Sequence, residues 1–402
     1  MLQTLSWKRD SRAIMPIPLS QPDLTQREID AVADVMRSGI LSIGPKLEEF
    51  ESHVARISGR SHAVGVANGT CGLHLTMLAA NIGPGDEVIT TPFSFVASTN
   101  CILYVGAKPV FVDIDTKSLN LDPARVEAAI TLKTKAIVAV EAFGHPGGML
   151  EVEAIARRNE LTLIEDCCEG FGGAVGQPSS PGTASRGTRP IGSFGRAGVF
   201  GFYPNKQITT GEGGMIVTDD ARFAETCRVL RNQGREGMSW LAHQRLGYNY
   251  RLTEIAAAIG VVQCERLEEI LDRRRQVALM YIERLMTSKF VTLPTLGGHD
   301  HVSWFVFVVR LNDLFEPGDR DEVMRELRAG GVGCNNYFPP IHLQPYVREQ
   351  LGHAEGAFPV TEYVAARTLA LPFFGAMTAA LVNEACTRLE SALEKVLMNK
   401  GR

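Results

Sequence analysis

The chain has 402 residues, 45% of them hydrophobic and 21% charged. That apolar share excludes intrinsic disorder, and the length calls for two domains or one large domain with an appendage. Its 41 Lys and Arg against 45 Asp and Glu give a net charge of −4, without the basic excess needed to bind nucleic acid or an anionic membrane surface as a main role.

No apolar run reaches roughly 18 residues, which excludes a transmembrane helix. Met1 to Arg12 is polar and basic, and no apolar stretch follows it, so no secretory signal is expected. Residues 1–14 are expected to be a disordered extension ahead of Met15-Pro16-Ile17-Pro18-Leu19.

From residue 60 to 220, short apolar runs alternate with helical patterns. His62–Ala67 reads as a strand, then Asn68-Gly69-Thr70 leads into a helix through Ala80. Strands follow at Glu87–Thr91, Lys108–Ile114, Thr134–Glu141 and Leu161–Asp166. Helices are expected at Val96–Val105, Pro123–Ile130 and Leu150–Asn159. Val199–Tyr203 and Gly214–Thr218 are two further strands. Such alternation implies an α/β fold around a mostly parallel sheet.

Gln177–Thr188 is rich in Gly, Pro, Ser and Thr and reads as a surface loop. Residues 254–287 carry one long helical pattern that would link two domains. Arg273-Arg274-Arg275 within it reads as a solvated helix face. Beyond it come a β-rich run, Val302–Leu311, a helix, Asp321–Ala329, and a final helix near Thr378–Met398. The division expected is a large domain over 15–265 and a smaller α+β domain over 266–402. The eight cysteines form no CxxC pair, and no His cluster has zinc spacing, so no metal is expected. Scattered thiols suit a reducing, cytoplasmic setting, and Cys167-Cys168 reads as two small buried residues.

Four elements could carry chemistry. Lys206 sits in Phe200-Gly201-Phe202-Tyr203-Pro204-Asn205-Lys206-Gln207, where its neighbours are apolar, turn-forming or small. A partly desolvated amine there would suit Schiff-base chemistry; a surface lysine before a glycine turn would look the same. Asp166 ends a predicted buried strand, the end at which open α/β sheets bind ligands. It could equally cap a helix. Asn68-Gly69-Thr70-Cys71-Gly72 opens a helix after a strand, as a phosphate cradle does, or as any βα turn does. Thr91-Pro92-Phe93-Ser94-Phe95 puts an aromatic at a strand end, for stacking on a flat ring or for core packing. Together, a cradle, a stacking ring, an acid and a lysine form the parts list for pyridoxal phosphate.

With these motifs in order, the chain resembles the DegT/DnrJ/EryC1/StrS aminotransferases, nucleotide-sugar enzymes of pyridoxal-phosphate fold type I. The resemblance runs from about Ile17 to the C-terminus. It is carried also by Ser38-Gly39-Ile40-Leu41-Ser42-Ile43-Gly44-Pro45, Gly83-Pro84-Gly85-Asp86-Glu87-Val88-Ile89, Gly106-Ala107-Lys108-Pro109-Val110 and Leu246-Gly247-Tyr248-Asn249-Tyr250-Arg251-Leu252-Thr253-Glu254.

The resemblance implies roles. Lys206 matches the lysine that carries the cofactor and moves the substrate proton. Asp166 matches the acid at the pyridine nitrogen, and Phe95 the stacked aromatic. Gly69 and Thr70 match the phosphate turn, and Glu169 falls where the family has Gln, His or Glu. Asn249 matches an asparagine that reaches the phosphate from the other subunit, which implies a homodimer with shared active sites. Arg251, Tyr337 and His342 are candidate substrate contacts. The implied reaction moves an amine from L-glutamate to a keto sugar on a nucleoside diphosphate. A cyclitol aminotransferase shares the motifs, and a cofactor-binding regulator is the alternative outside enzymes. One family branch replaces the lysine with His and deoxygenates its substrate; Lys206 argues against it.

Three departures stand out. Gly201 replaces the Ser common five residues before the lysine, so one phosphate contact is lost or is replaced by a backbone N–H or a water. Val140-Glu141 replaces a Val-His. The segment 177–188 looks inserted.

Overall fold

The computed structural model describes residues 17–176, 188–236, 242–296 and 300–401. The extension 1–14 and all of the Gln177–Thr188 loop but its last residue lie outside them.

Strands in chain order are β1 (His62–Val66), β2 (Glu87–Thr90), β3 (Lys108–Phe111), β4 (Thr134–Val140), β5 (Thr162–Asp166), β6 (Ala174–Gly176), β7 (Thr188–Pro190), β8 (Ala197–Gly201), β9 (Gly214–Thr218), β10 (Val291–Thr292), β11 (Phe307–Leu311) and β12 (Thr368–Leu371). Seven form one sheet in the order β1-β9-β8-β5-β4-β2-β3, in which only β9 runs against its neighbours. Near-continuous burial of β4, β5, β8 and β9 explains their unbroken apolar runs, since helices cover both faces. β10-β11-β12 form a second sheet, and β6 pairs antiparallel with β7. The mixed α/β class and mostly parallel sheet read from the sequence are therefore present.

The expected helices form within a residue or two of their predicted ends. Two helices before residue 60 were not anticipated, Gln26–Ser38 and Pro45–Ser58. The first has a full capping box, Thr25 with Glu28. The second starts at Gly44-Pro45, and its first N–H groups are met from afar. The buried Glu254 carboxylate accepts from Gly44 N at 3.0 Å, Lys46 N at 2.8 Å and Leu47 N at 2.9 Å. Two of the quoted sequence segments, 38–45 and 246–254, thus meet at one helix terminus, where an anion belongs.

The single helix expected over 254–287 is two helices, Glu254–Glu265 and Leu267–Leu285, broken at Arg266. The Arg266 guanidinium is drawn into a buried cluster with Asp23 and Glu28. Leu267 and Ile270 pack into the core beneath the large sheet, whereas Val277, Tyr281 and Leu285 pack against the small one. The basic triplet is not a solvated face throughout: Arg274 is buried, at 3% exposure. The β-run also starts late. Residues 302–306 form no strand: Gln207 takes the Ser303 carbonyl, Arg274 those of Trp304 and Phe305, and the Gly144 carbonyl the Ser303 N–H. Among the described residues no helix is long and apolar enough to cross a membrane.

Candidate active site

β1, β2, β5 and β8 run in one direction, so their C-terminal ends share one edge of the sheet. The loops leaving that edge enclose a cleft of about 570 Å³. Asn68, Gly69 and Thr70 follow β1, Phe95 follows β2, Asp166, Cys168 and Glu169 end and follow β5, and Gly201, Asn205 and Lys206 end and follow β8. Phe305, Tyr337 and Phe338 close the far wall.

At the β1 end, the Asn68 side chain accepts from Cys71 N at 2.9 Å and caps the helix Gly69–Ala79. The N–H groups of Gly69 and Thr70 open that helix and have no intrahelical acceptor. Only a residue without Cβ fits position 69, where a Cβ would sit 2.7 Å from Cys168 Sγ.

Asp166 is buried and accepts from Cys168 N at 3.3 Å. Burial raises its pKa above the ordinary value, against the pull of the Cys168 hydrogen bond and the Lys206 charge. Glu169 is raised for the same main reason and is opposed first by Lys206. Its carboxylate takes the Phe143 N–H at 2.7 Å and lies 3.6 Å from Lys206 Nζ. The Lys206 amine also sits 4.1 Å from the centroid of the Phe305 ring. Phe95 lines the cleft with 61% of its surface exposed. A ring so open is available for stacking, so the core-packing alternative does not hold at this position.

These residues fit pyridoxal phosphate. The glycine turn leaves room and donors for a phosphate, and Phe95 offers an open aromatic face. A buried acid and an amine within reach of a second carboxylate complete the donor set.

The other candidates are placed differently. Tyr337 is in the cleft wall, stacked on Phe338 with centroids 5.0 Å apart, and its hydroxyl lies 3.5 Å from Asn205 Nδ2. Asn249 is exposed and outside the cleft, bridged to Asn232. Arg251 lines an adjoining pocket with Thr210 and Glu212, and its guanidinium donates to Asn232 Oδ1 at 3.1 Å. Glu212 borders both cavities. His342 is fully buried 3.0 Å from Glu362 and lies outside the cleft. Burial lowers its pKa, against the pull of Glu362.

Two departures from the family pattern gain physical reasons. A Cβ at Gly201 would lie 3.2 Å from Cys168 Sγ, so a serine there would need the thiol to give way by a few tenths of an ångström. Glu141 is fully buried beside Glu165 and Cys167, and among the described residues the Glu165 carboxyl is the partner in reach of its oxygens. Burial and the Glu165 charge push Glu141 well above the usual carboxylate range, which favours its protonated form. Sequence reasoning missed Cys168, Asn205, Phe305 and Glu212 in the lining. Cys168, two residues past Asp166, was within reach of a strand-parity argument; Phe305, a hundred residues from the lysine, gave no local signal.

The model of the DegT/DnrJ/EryC1/StrS aminotransferase family matches residues 22–390. The chain is 39% identical over 353 residues to the pleiotropic regulatory protein of Geobacillus stearothermophilus, covering 86% of this chain and 89% of that one. It is 34% identical over 373 residues to the spore coat polysaccharide biosynthesis protein SpsC of Bacillus subtilis, covering 90% and 93%. Among solved structures it is similar to Helicobacter pylori PseC, an aminotransferase involved in the biosynthesis of pseudoaminic acid. That match has a TM-score of 0.85 at 25% identity, over 94% of this chain and 99% of that one.

Proposed function

The chain belongs to the DegT/DnrJ/EryC1/StrS family and is a pyridoxal-phosphate-dependent aminotransferase, and from that premise we propose that it aminates a keto sugar carried on a nucleoside diphosphate, with L-glutamate as donor. The observation that carries this reading is the meeting of Lys206, Asp166, the Gly69 turn and the open Phe95 ring in one cleft. SpsC, named for polysaccharide biosynthesis, and PseC, named for pseudoaminic acid, support a sugar as acceptor. The SpsC name favours polysaccharide biosynthesis as the setting, with secondary-metabolite sugar biosynthesis as the alternative.

The bound cofactor supplies an electron sink for the carbon that loses its proton. Lys206 would carry the cofactor and then shuttle the proton as general base and acid. Glu169, 3.6 Å from the amine, holds Lys206 on the cleft side of Phe305. Asp166 would keep the proton on the ring nitrogen through a charge-assisted bond, its own burial strengthening that contact. Gly69 and Thr70 would bind phosphate through N–H groups, and Tyr337 would contact the sugar.

The partner of this reading is a second copy of the chain. Asn249 is exposed, and Ile29, Met36, Ile40, Leu41, Ile43 and Leu246 are large apolar residues left in solvent by a single chain. A homodimer that covers them would bring Asn249 and Arg251 toward a neighbouring cleft. Eight free thiols suit a cytoplasmic setting.

The test is incubation of the purified protein with pyridoxal phosphate, L-glutamate and a panel of nucleoside-diphosphate keto sugars and keto cyclitols. Mass spectrometry should find an amino group in place of a sugar keto oxygen, together with 2-oxoglutarate. Amination of the cyclitols alone would replace the sugar reading; no amination and no 2-oxoglutarate would favour the regulator, the role in the name of the Geobacillus relative.

A further inference from the structure

Arg274 lies behind the cleft, on the helix Leu267–Leu285, and only 3% of it is exposed. Its neighbour Arg273 pairs with Asp23 and Glu269. Arg274 has no carboxylate in an ion pair among the described residues. Its guanidinium instead donates to four backbone carbonyls: Trp304 at 2.9 Å, Phe305 at 3.2 Å, Asn205 at 3.2 Å and Lys206 at 3.3 Å. Two of these belong to the loop that carries the lysine. The other two belong to the segment that carries Phe305, whose ring lies 4.1 Å from the lysine amine. A buried cation in no ion pair is costly, and burial lowers this guanidinium to about 10, against the pull of Asp23. It stays charged at neutral pH, and its planar fork grips both segments at once.

We propose that Arg274 is a positioning residue for the amine of Lys206. It locks the lysine backbone and the Phe305 platform into one unit, so the amine is held over the ring and beside Glu169. Arg274 touches neither cofactor nor substrate and acts only through Lys206. A lysine at 274 would keep the charge but lose the fork that spans four carbonyls. The inference rests on the reading that Lys206 carries the cofactor.

The groups around the amine decide what a charge change would do. Asp166 and Glu169 face it from the end of β5, Glu212 from just before β9, and Tyr203 and Tyr337 line the same cleft. Arg274 is the cation on the other side of the lysine backbone. Asp23 is the acid that faces Arg274 in turn.

The experiment uses full-length protein in four forms: wild type, Arg274→Lys, Arg274→Met and the exposed neighbour Arg275→Met as control. Resolved protein is mixed with pyridoxal phosphate, and the growth of its visible band is followed. The band of the loaded protein is then titrated with pH. Borohydride reduction and peptide mapping locate the attachment. Arg274→Lys should slow band formation about tenfold, because the amine is no longer preorganised. Its titration midpoint should stay near that of wild type. Arg274→Met should slow it as much or more. Arg275→Met should match wild type.

Should Arg274→Met fail to fold, Arg274→Lys decides alone. Lowered melting temperature with unchanged band kinetics and midpoint would mean that Arg274 only braces the core, and would overturn the proposal. A label mapped away from Lys206 in wild type would overturn the underlying reading as well; a label on Lys206 with unaffected variants would overturn this inference only.

Discussion

Glu141→Gln should make the stability of the protein less sensitive to pH. Glu141 is fully buried, and neither carboxylate oxygen meets an N–H donor among the described residues. Its neighbour Glu165 is already served as an anion by Gly192 N at 2.9 Å and Phe194 N at 2.5 Å, with Arg60 at 3.8 Å. Glu141 is therefore the partner on which the proton is favoured, by burial first and by Glu165 second. Glu165 itself is pushed up to about 7, chiefly by burial.

In the unfolded chain a glutamate releases its proton near pH 4.3. Above that value folding must take a proton up. The stability this group contributes is fully present below the unfolded value and is lost as pH rises toward the raised folded value. One proton corresponds to about 1.4 kcal/mol per pH unit, hence at most roughly 2.7 kcal/mol between about pH 5.5 and 7.5. Glutamine has the same shape, offers Glu165 an N–H donor and does not titrate. Its variant should lack that share of the loss, while the share due to Glu165 remains in both proteins. Urea unfolding of wild type and variant at the two pH values, at equal protein concentration, measures the difference. Parallel losses in the two proteins would refute the assignment of a proton to Glu141.

Asp166→Asn should lower the amination rate on the order of a thousandfold while leaving the fold intact, because the neutral amide cannot hold a ring proton electrostatically. Single-turnover kinetics on the folded variant would measure it, and near-wild-type rates would assign that proton to another group. Gly201→Ser should destabilise the protein by about 1–2 kcal/mol, since its Cβ would press on Cys168 Sγ. Adding Cys168→Ala should restore most of that loss and tighten the hold on pyridoxal phosphate. Thermal melting and cofactor titration of the single and double variants would show it, and additive effects would mean that the two positions do not compete for space.

Much of this site is legible in the chain because its parts are local. β4, β5, β8 and β9 are short buried runs, and the end of such a strand fixes where the next loop begins. Asp166 and the Gly69 turn can thus be put at one sheet edge from the sequence alone, and Lys206, beyond the next strand, belongs to the same edge. The rest depends on residues far apart in sequence. Arg274 reads locally as one of three exposed arginines, yet it faces four carbonyls contributed by two remote segments. Glu254 reads as an acid at a helix start, which it is, but its carboxylate serves a different helix some two hundred positions earlier. The run before β11 reads as strand because it is apolar; its carbonyls at 303–305 are claimed by side chains that no periodicity could reveal. Asn249, Arg251 and His342 lie outside the cleft formed by one chain, and two of them, Asn249 and Arg251, gain a role only if a second subunit is added.

The most direct measurement is the visible absorption of the purified protein with pyridoxal phosphate, before and after L-glutamate is added. A yellow band that glutamate bleaches toward the near ultraviolet, and that is absent from Lys206→Ala before glutamate, is the expected result. A band that glutamate leaves unchanged would contradict glutamate as donor. A normal band and normal bleaching in Lys206→Ala would contradict the placement of the cofactor in this cleft.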